Sequence, residues 1–315
     1  MPGSNAAGSS VAESETSSRS AADPNRVAPP GVLHVALPKG RMQEGVFALL
    51  KDAGVSISAS ARGYRPVLSL PDTEAKILKP QNIIEMLHIG SRDVGFAGAD
   101  WVAELEADLV DLLDTRLDPV RLVAAAPEAI LGADGSLPTR PLVVASEYTR
   151  LTRGWIASRS LDATFVRSYG ATEVFPPEDA DCIVDNTATG STLRANGLAI
   201  VDEVMRSSTR LYASRAAMDD GEKRARIEEL VLVVRSVLDA RQRVLIELNV
   251  DADRLDAVVD LLPCMREPTV ASLHTGSGYA VRAAVPRREL AALIPKIKAA
   301  GGADVIVTPA THIVS

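Results

Sequence analysis

A chain of 315 residues exceeds what one hydrophobic core comfortably organises, so two or three domains are expected. Its 46% hydrophobic and 24% charged residues give an ordinary globular composition, and aromatics at 3% mean that the cores must be aliphatic. A formal net charge of −7 excludes a whole-protein field that would draw in nucleic acid or an anionic membrane, so any anionic ligand must find a local basic pocket.

Residues 1–30 are rich in Ser, Ala, Pro and Gly and offer almost no large apolar side chains, so a disordered tail is expected. It lacks the basic start and apolar centre of a signal peptide, and Glu13, Glu15 and Asp23 weigh against an organelle transit peptide. No apolar run approaches the roughly 20 residues that span a bilayer, and a cytoplasmic setting is expected.

The texture changes at Leu33-His34-Val35-Ala36-Leu37, a short strand followed by Pro38-Lys39-Gly40-Arg41. Val46, Leu49, Leu50 and Ala53 then recur at helical spacing, with Gly54 as a stop. Strand and helix keep alternating: strand 76–78, helix 81–88, strand 93–97, helix 100–106. A second α/β block runs through strands 120–126 and 142–145, helix 148–159, and strands 164–166 and 182–184. Strands at 198–201 and 209–212 precede a long helix with Ile227, Leu230, Val231, Val234, Val237 and Leu238 on one apolar face. The last segment has the order strand, helix, strand, strand, helix, strand, which is ferredoxin-like.

Cys182 and Cys264 lack any spacing for zinc or a disulfide framework, and His34, His88, His274 and His312 are scattered, so no transition metal is expected. The chemistry concentrates instead in Asp181-Cys182-Ile183-Val184-Asp185-Asn186-Thr187-Ala188-Thr189-Gly190-Ser191-Thr192-Leu193. A buried strand ends in an acid, and a loop of small hydroxyl residues and glycine leads into a helix. Such a turn aims N–H groups and hydroxyls at one spot beside a helix N-terminus, which suits a phosphate. The Gly-Lys-Ser/Thr ending of a Walker loop is missing. As a bare pattern the same residues also fit a capped helix start, with Thr187 or Thr189 as the cap.

The loop sits in a longer string, Gly170-Ala171-Thr172-Glu173 through Arg194-Ala195-Asn196-Gly197-Leu198, which resembles the ATP phosphoribosyltransferase family. Leu37-Pro38-Lys39-Gly40-Arg41, Asp93-Val94-Gly95-Phe96-Ala97-Gly98-Ala99-Asp100-Trp101 and Leu261-Leu262-Pro263-Cys264-Met265-Arg266-Glu267-Pro268-Thr269-Val270 match in the same order. Motifs in one order from Leu33 onward are far more specific than any alone.

The resemblance implies an α/β fold: a two-lobed catalytic unit like a periplasmic binding protein, followed by a C-terminal ferredoxin-like (ACT-like) α+β domain. Residues 31–119 plus 203–241 would form the first lobe, 120–202 the second with the phosphoribosyl pyrophosphate (PRPP) loop, and 242–315 a regulatory domain. It implies condensation of ATP, through N1, with PRPP, releasing pyrophosphate in the first step of histidine biosynthesis, with feedback by histidine. By the same resemblance, Asp185, Asn186, Thr187, Ala188, Thr189, Gly190, Ser191 and Thr192 would bind PRPP, with Asp185 facing the ribose hydroxyls. Lys39 and Arg41 would meet pyrophosphate or ATP phosphates, since cations at a helix start otherwise oppose its dipole. Arg62 or Arg65 is a further anion contact or a solvated loop residue, and Glu173 a ribosyl or purine contact or a helix-start carboxylate. Thr269, Ser272 and Asn249 would bind histidine. Mg²⁺ is implied by the pyrophosphate, with no protein ligand named, and a homo-oligomer, dimer and/or hexamer, is expected.

Two positions depart from the family pattern. Lys79-Pro80-Gln81-Asn82-Ile83 stands where an arginine and an aspartate are usual, and Asn186 is polar and bulky for its loop. These keep open a divergent enzyme with an altered acceptor or reduced activity, and a non-enzymatic metabolite-binding module.

Overall fold

The run from Leu33 forms β1 (Leu33–Pro38), buried at all 6 positions as a strand covered on both faces must be. The computed structural model describes residues 31–58, 63–274 and 276–314; the expected tail at 1–30 and the candidate Arg62 lie outside the described residues. After β1, Gly40 adopts φ +87, a conformation only glycine takes without strain, and turns the chain into α1 (Arg41–Asp52). Val46, Leu49 and Leu50 bury one side of α1, and trimming Leu49 to alanine would cost about 2–5 kcal/mol.

A two-stranded flap, β2 (Ile57–Ser58) with β3 (Val67–Leu68), leads to β4 (Thr73–Leu78). Then follow α2 (Pro80–His88), begun by a proline in its first turn, β5 (Val94–Gly98) and α3 (Ala99–Leu105). β6 (Leu109–Pro127) is followed by β7 (Leu142–Ser146), α4 (Thr149–Ser158), β8 (Ala163–Arg167), β9 (Cys182–Thr187), α5 (Ser191–Ala195) and β10 (Leu198–Ser214). α6 (Arg215–Asp219) and α7 (Gly221–Arg241) follow the large sheet and lead to the C-terminal segment. Asp220 caps α7 by accepting from the N–H groups of Glu222 and Lys223, both at 3.0 Å, worth about 1 kcal/mol. Ile227, Leu230, Val234 and Val237 pack α7 onto the core shared by β1 and α1.

One eight-stranded sheet runs β4-β1-β5-β10-β6-β9-β7-β8. β6 and β10 form an antiparallel ribbon joining its two halves, β1, β4 and β5 on one side and β7, β8 and β9 on the other. The strands expected separately at 198–201 and 209–212 are therefore one. Residues 202–208, polar except for the adjacent Val204 and Met205, are paired against β6 through a ladder broken by register shifts, so they carry no apolar alternation for the sequence to show. The expected lobe borders at 119/120 and 202/203 both fall inside this ribbon.

Register then dictates where a site can form. β5 pairs with β10 from Val94↔Ala213 to Gly98↔Thr209, and β9 pairs with β6 from Ile183↔Ala125 to Thr187↔Arg121. Both strands thus point their carboxyl ends at the middle of the ribbon from opposite sides. In open α/β sheets ligands bind at such ends.

The C-terminal segment carries β11 (Arg243–Asp251), α8 (Leu255–Val259), β12 (Thr269–Ser272), β13 (Gly278–Pro286), α9 (Leu290–Ala299) and β14 (Ala303–Pro309). Its sheet order β12-β13-β11-β14, antiparallel throughout, is the ferredoxin-like arrangement. Ile246, Leu248, Val250, Val281 and Val285 face α8 and α9, and the alternate residues form an open face. The chain end returns to α7, where Ser236 bonds His312 Nδ1 at 2.8 Å. No helix among the described residues is long and apolar enough to cross a membrane.

Candidate active site

Buried Cys182, Ile183 and Val184 bring β9 out of the core, and its next residues, Asp185 and Asn186, are half-buried at the ribbon's centre. The loop that follows is folded by its own groups. Thr187 Oγ1 accepts from the Gly190 N–H at 2.9 Å, and Thr189 Oγ1 donates to Ser191 Oγ at 3.0 Å. Gly190 has φ +74, and a Cβ there would lie 3.0 Å from Arg194 Nη1, which itself bonds the Thr189 carbonyl at 3.1 Å. The positive φ calls for glycine, whereas the Arg194 side chain could swing aside. Gly190 is also the cap of α5, with no side-chain cap, so neither Thr187 nor Thr189 takes that role. α5 is only 5 residues long, so its dipole adds little and the loop acts through local N–H and hydroxyl groups.

A cavity of about 380 Å³ opens over this loop, lined by Asp185 to Thr189, Ser191 to Leu193, Glu173 and Arg41. Arg41 arrives from the first turn of α1, in the other half of the sheet, while Glu173 sits on a 3₁₀ turn before β9. Two carboxylates and an arginine from across the cleft therefore share one space with a ring of small donors. Burial pushes the Asp185 carboxyl up to about 6; the Asn186 N–H bonded to it at 2.7 Å opposes this, and the negative charges of Glu173 and Glu147 add to it. A larger cavity of about 560 Å³ lies between β6 and α7, but no glycine-hydroxyl loop opens into it.

Other expected residues sit elsewhere. Lys39 Nζ donates to Tyr64 Oη at 2.9 Å and rests 4.8 Å from that ring's centre, outside the cavity lining. Arg65 is exposed and also outside the lining. Asn82 is exposed on α2 and donates to Glu85 at 3.3 Å. In the C-terminal sheet, Thr269 and Asn249 share the open face, about 12 Å apart across two strand spacings and a two-residue offset, with β13 between them. Asn249 Nδ2 donates to Asp304 at 3.0 Å, and strand alternation puts Ser272 on the opposite face from Thr269.

The sequence showed none of the polar contacts behind the loop. Tyr148, fully buried before α4, donates to Asp100 Oδ2 at 2.6 Å, and Ser207 Oγ donates to Asp100 Oδ1 at 2.7 Å. Asn186 Nδ2 donates to Tyr148 Oη at 3.0 Å, so its side chain is engaged there while its main chain serves Asp185. Trp101 stacks on Tyr148 with ring centres 4.6 Å apart, and Glu104 of α3 accepts from the Arg150 and Leu151 N–H groups at the start of α4, both at 3.0 Å. Asp100-Trp101 directly after a buried strand was the available signal.

Sequence comparison agrees with this geometry. Residues 79–236 match the family described as ATP phosphoribosyltransferase, and 240–312 match the HisG C-terminal domain. An ATP phosphoribosyltransferase of Pelotomaculum thermopropionicum is 35% identical over 288 residues, covering 90% of this chain and 99% of that protein. One from Desulforudis audaxviator is 36% identical with the same coverage, 90% and 99%. A solved ATP phosphoribosyl transferase (HisG:HisZ) complex from Thermotoga maritima aligns with TM-score 0.59 and 25% identity, over 66% of this chain and 99% of that one. With such identity along nearly its whole length and a C-terminal domain match besides, the chain belongs to the ATP phosphoribosyltransferase family, in its long form.

Proposed function

We propose that the interlobe cavity is the PRPP site of an enzyme that joins ATP to the phosphoribosyl group and so opens histidine biosynthesis. The observation that carries this is the cavity lining itself: Arg41 from one half of the sheet, Glu173, Asp185 and the Asn186–Thr192 loop from the other. In the reaction the N1 lone pair of ATP forms a bond to C1 of the ribose as the C1–O bond to pyrophosphate breaks, and that electron pair leaves with pyrophosphate. Positive charge develops on the sugar between those events. The protein's part is positioning and charge stabilisation.

The loop N–H groups and hydroxyls hold the 5-phosphate, and Asp185 accepts from the ribose hydroxyls while its negative charge faces the developing cation. Arg41 meets the departing pyrophosphate, and Lys39 joins it only by leaving Tyr64. Glu173 lines the ribosyl side. Among the described residues no cluster of three or more metal-binding side chains occurs, so a dedicated all-protein cage is absent. Asp185 and Glu173 nonetheless offer the hard oxygens that suit Mg²⁺, which keeps its waters and takes substrate oxygens. When bound with pyrophosphate, Mg²⁺ supplies neutralisation of the leaving charge.

Free histidine is the proposed feedback ligand of the C-terminal domain, with Thr269 among its contacts, in a cytoplasmic homo-oligomer, dimer and/or hexamer. Incubation with ATP, PRPP and Mg²⁺ should yield phosphoribosyl-ATP and pyrophosphate in equal amounts. Folded protein that forms neither would overturn the proposal.

A further inference from the structure

Asn186, one of the two departures from the family pattern, is held in a way that gives it a task. Four side chains from four elements form one hydrogen-bonded line behind the cavity: Asn186 of β9, Tyr148 before α4, Asp100 of α3 and Ser207 of β10. The directions of these bonds are fixed by chemistry. An ionised Asp100 only accepts, so Ser207 and Tyr148 must both donate to it, at 2.7 and 2.6 Å. The Tyr148 proton is then spent, and its oxygen can only accept from whatever lies on the other side. Asn186 Nδ2, 3.0 Å away, supplies that proton. Aspartate at 186 would present an acceptor to an acceptor, and a leucine would present nothing.

The line is buried and geometrically demanding. Tyr148 is 0% and Asp100 6% exposed, and the Asp100 N–H bonds Ser207 Oγ at 3.0 Å to close the far end. A Cβ on Gly98 would lie 2.3 Å from Asp100 Oδ1, so the end of β5 is kept bare for this carboxylate. At the near end, the Asn186 main-chain N–H donates to Asp185 Oδ1 at 2.7 Å. The side chain and main chain of one residue thus face two different partners: Tyr148 of its own half of the sheet, which passes the link on to Asp100 of the other half, and the ribose-facing carboxylate.

We infer that Asn186 is a positioning residue: through Tyr148 and Asp100 it anchors the peptide that orients Asp185 to the half of the sheet that carries Arg41. This deepens the PRPP reading of the cavity and rests on it. It places the specific effect on PRPP, because Asp185 serves the ribose, and leaves ATP recognition largely untouched.

The test is a double-mutant cycle in the full-length enzyme with Asn186→Leu, Tyr148→Phe and the pair, measuring kcat and both KM values across pH 5–8. Each single change should lower kcat/KM for PRPP about tenfold, with KM for ATP within about twofold, and the pair should be no worse than either single change. Asn186→Gln, which keeps a donor, should recover part of the loss and provides a second readout if Asn186→Leu folds poorly. Additive losses, equal losses for ATP and PRPP, or no recovery in a folded Asn186→Gln variant would overturn the positioning role. Wild-type enzyme with no PRPP turnover would instead overturn the reading of the cavity.

Discussion

The interlobe cavity and the open face of the C-terminal sheet both carry residues expected to bind small polar ligands, but they are built differently. In the cavity, Arg41 and Asp185 come from opposite halves of the sheet to line one space, and the loop between Asp185 and α5 is braced by its own bonds. On the open face the polar groups bind one another: Asn249 donates to Asp304, Arg282 pairs with Glu247, and Ile306 beside them is 57% exposed. The cavity draws its lining from both halves of the large sheet. The open face is a surface on which a histidine site needs a further covering group, and a homo-oligomer would supply one.

If that contrast holds, changes at the cavity should act on catalysis and changes on the open face on inhibition alone. The largest effect should follow Arg41→Ala, which removes the cation from across the cleft: kcat/KM should fall roughly 10²-fold, as loss of a charged hydrogen bond of about 1.5–3 kcal/mol implies. Steady-state kinetics with the melting temperature held as a control would check it.

The pH profile should show the next largest effect. Burial raises the Asp185 pKa to about 6, and in the proposed PRPP site it is the ionised form that faces the ribose. Below that value kcat/KM for PRPP should drop about tenfold per pH unit. Stability runs the other way. A raised carboxyl pKa contributes stability that is present below the ordinary carboxylate value and lost as pH rises through 6, so Asp185→Asn should raise the melting temperature at pH 8 more than at pH 5. Thr189→Val and Thr192→Val should each raise KM for PRPP by about fivefold, one hydroxyl donor's worth, in the same assays. Smallest in catalysis is Thr269→Ala, which should weaken inhibition by histidine several-fold while leaving kcat and both KM values unchanged without histidine. A loss of turnover there would merge the two regions.

Much of this contrast was legible in the sequence. β1, β5 and β9 announce themselves as continuous apolar runs, because parallel strands are buried on both faces. The Asp185–Thr192 loop is legible because glycine and small hydroxyls between a strand and a helix have few other uses. The ribbon was not, since pairs such as Arg121–Glu203 and Arg210–Asp111 replace apolar packing along it. Pro119 and the positive-φ residues Arg116 and Asp118 further disguise β6 as a loop. For Lys39, spacing reveals that a cation follows β1, but not that Tyr64, 25 residues away, holds it. The Asn186–Tyr148–Asp100 line joins residues 38 and 48 positions apart, which no local pattern encodes.

The central claim is that Asp185 and its loop form the PRPP site. Calorimetric titration of Mg²⁺ and PRPP into wild type and Asp185→Asn, at pH values from 7.5 down to 6, tests it most directly. Asparagine keeps the shape and the bond to the Asn186 N–H but removes the charge. The account predicts saturable binding by the wild type, with proton release that grows as pH falls toward 6, and affinity weakened about 30-fold in the variant without proton release. Equal affinity and equal proton release in the two proteins would contradict it.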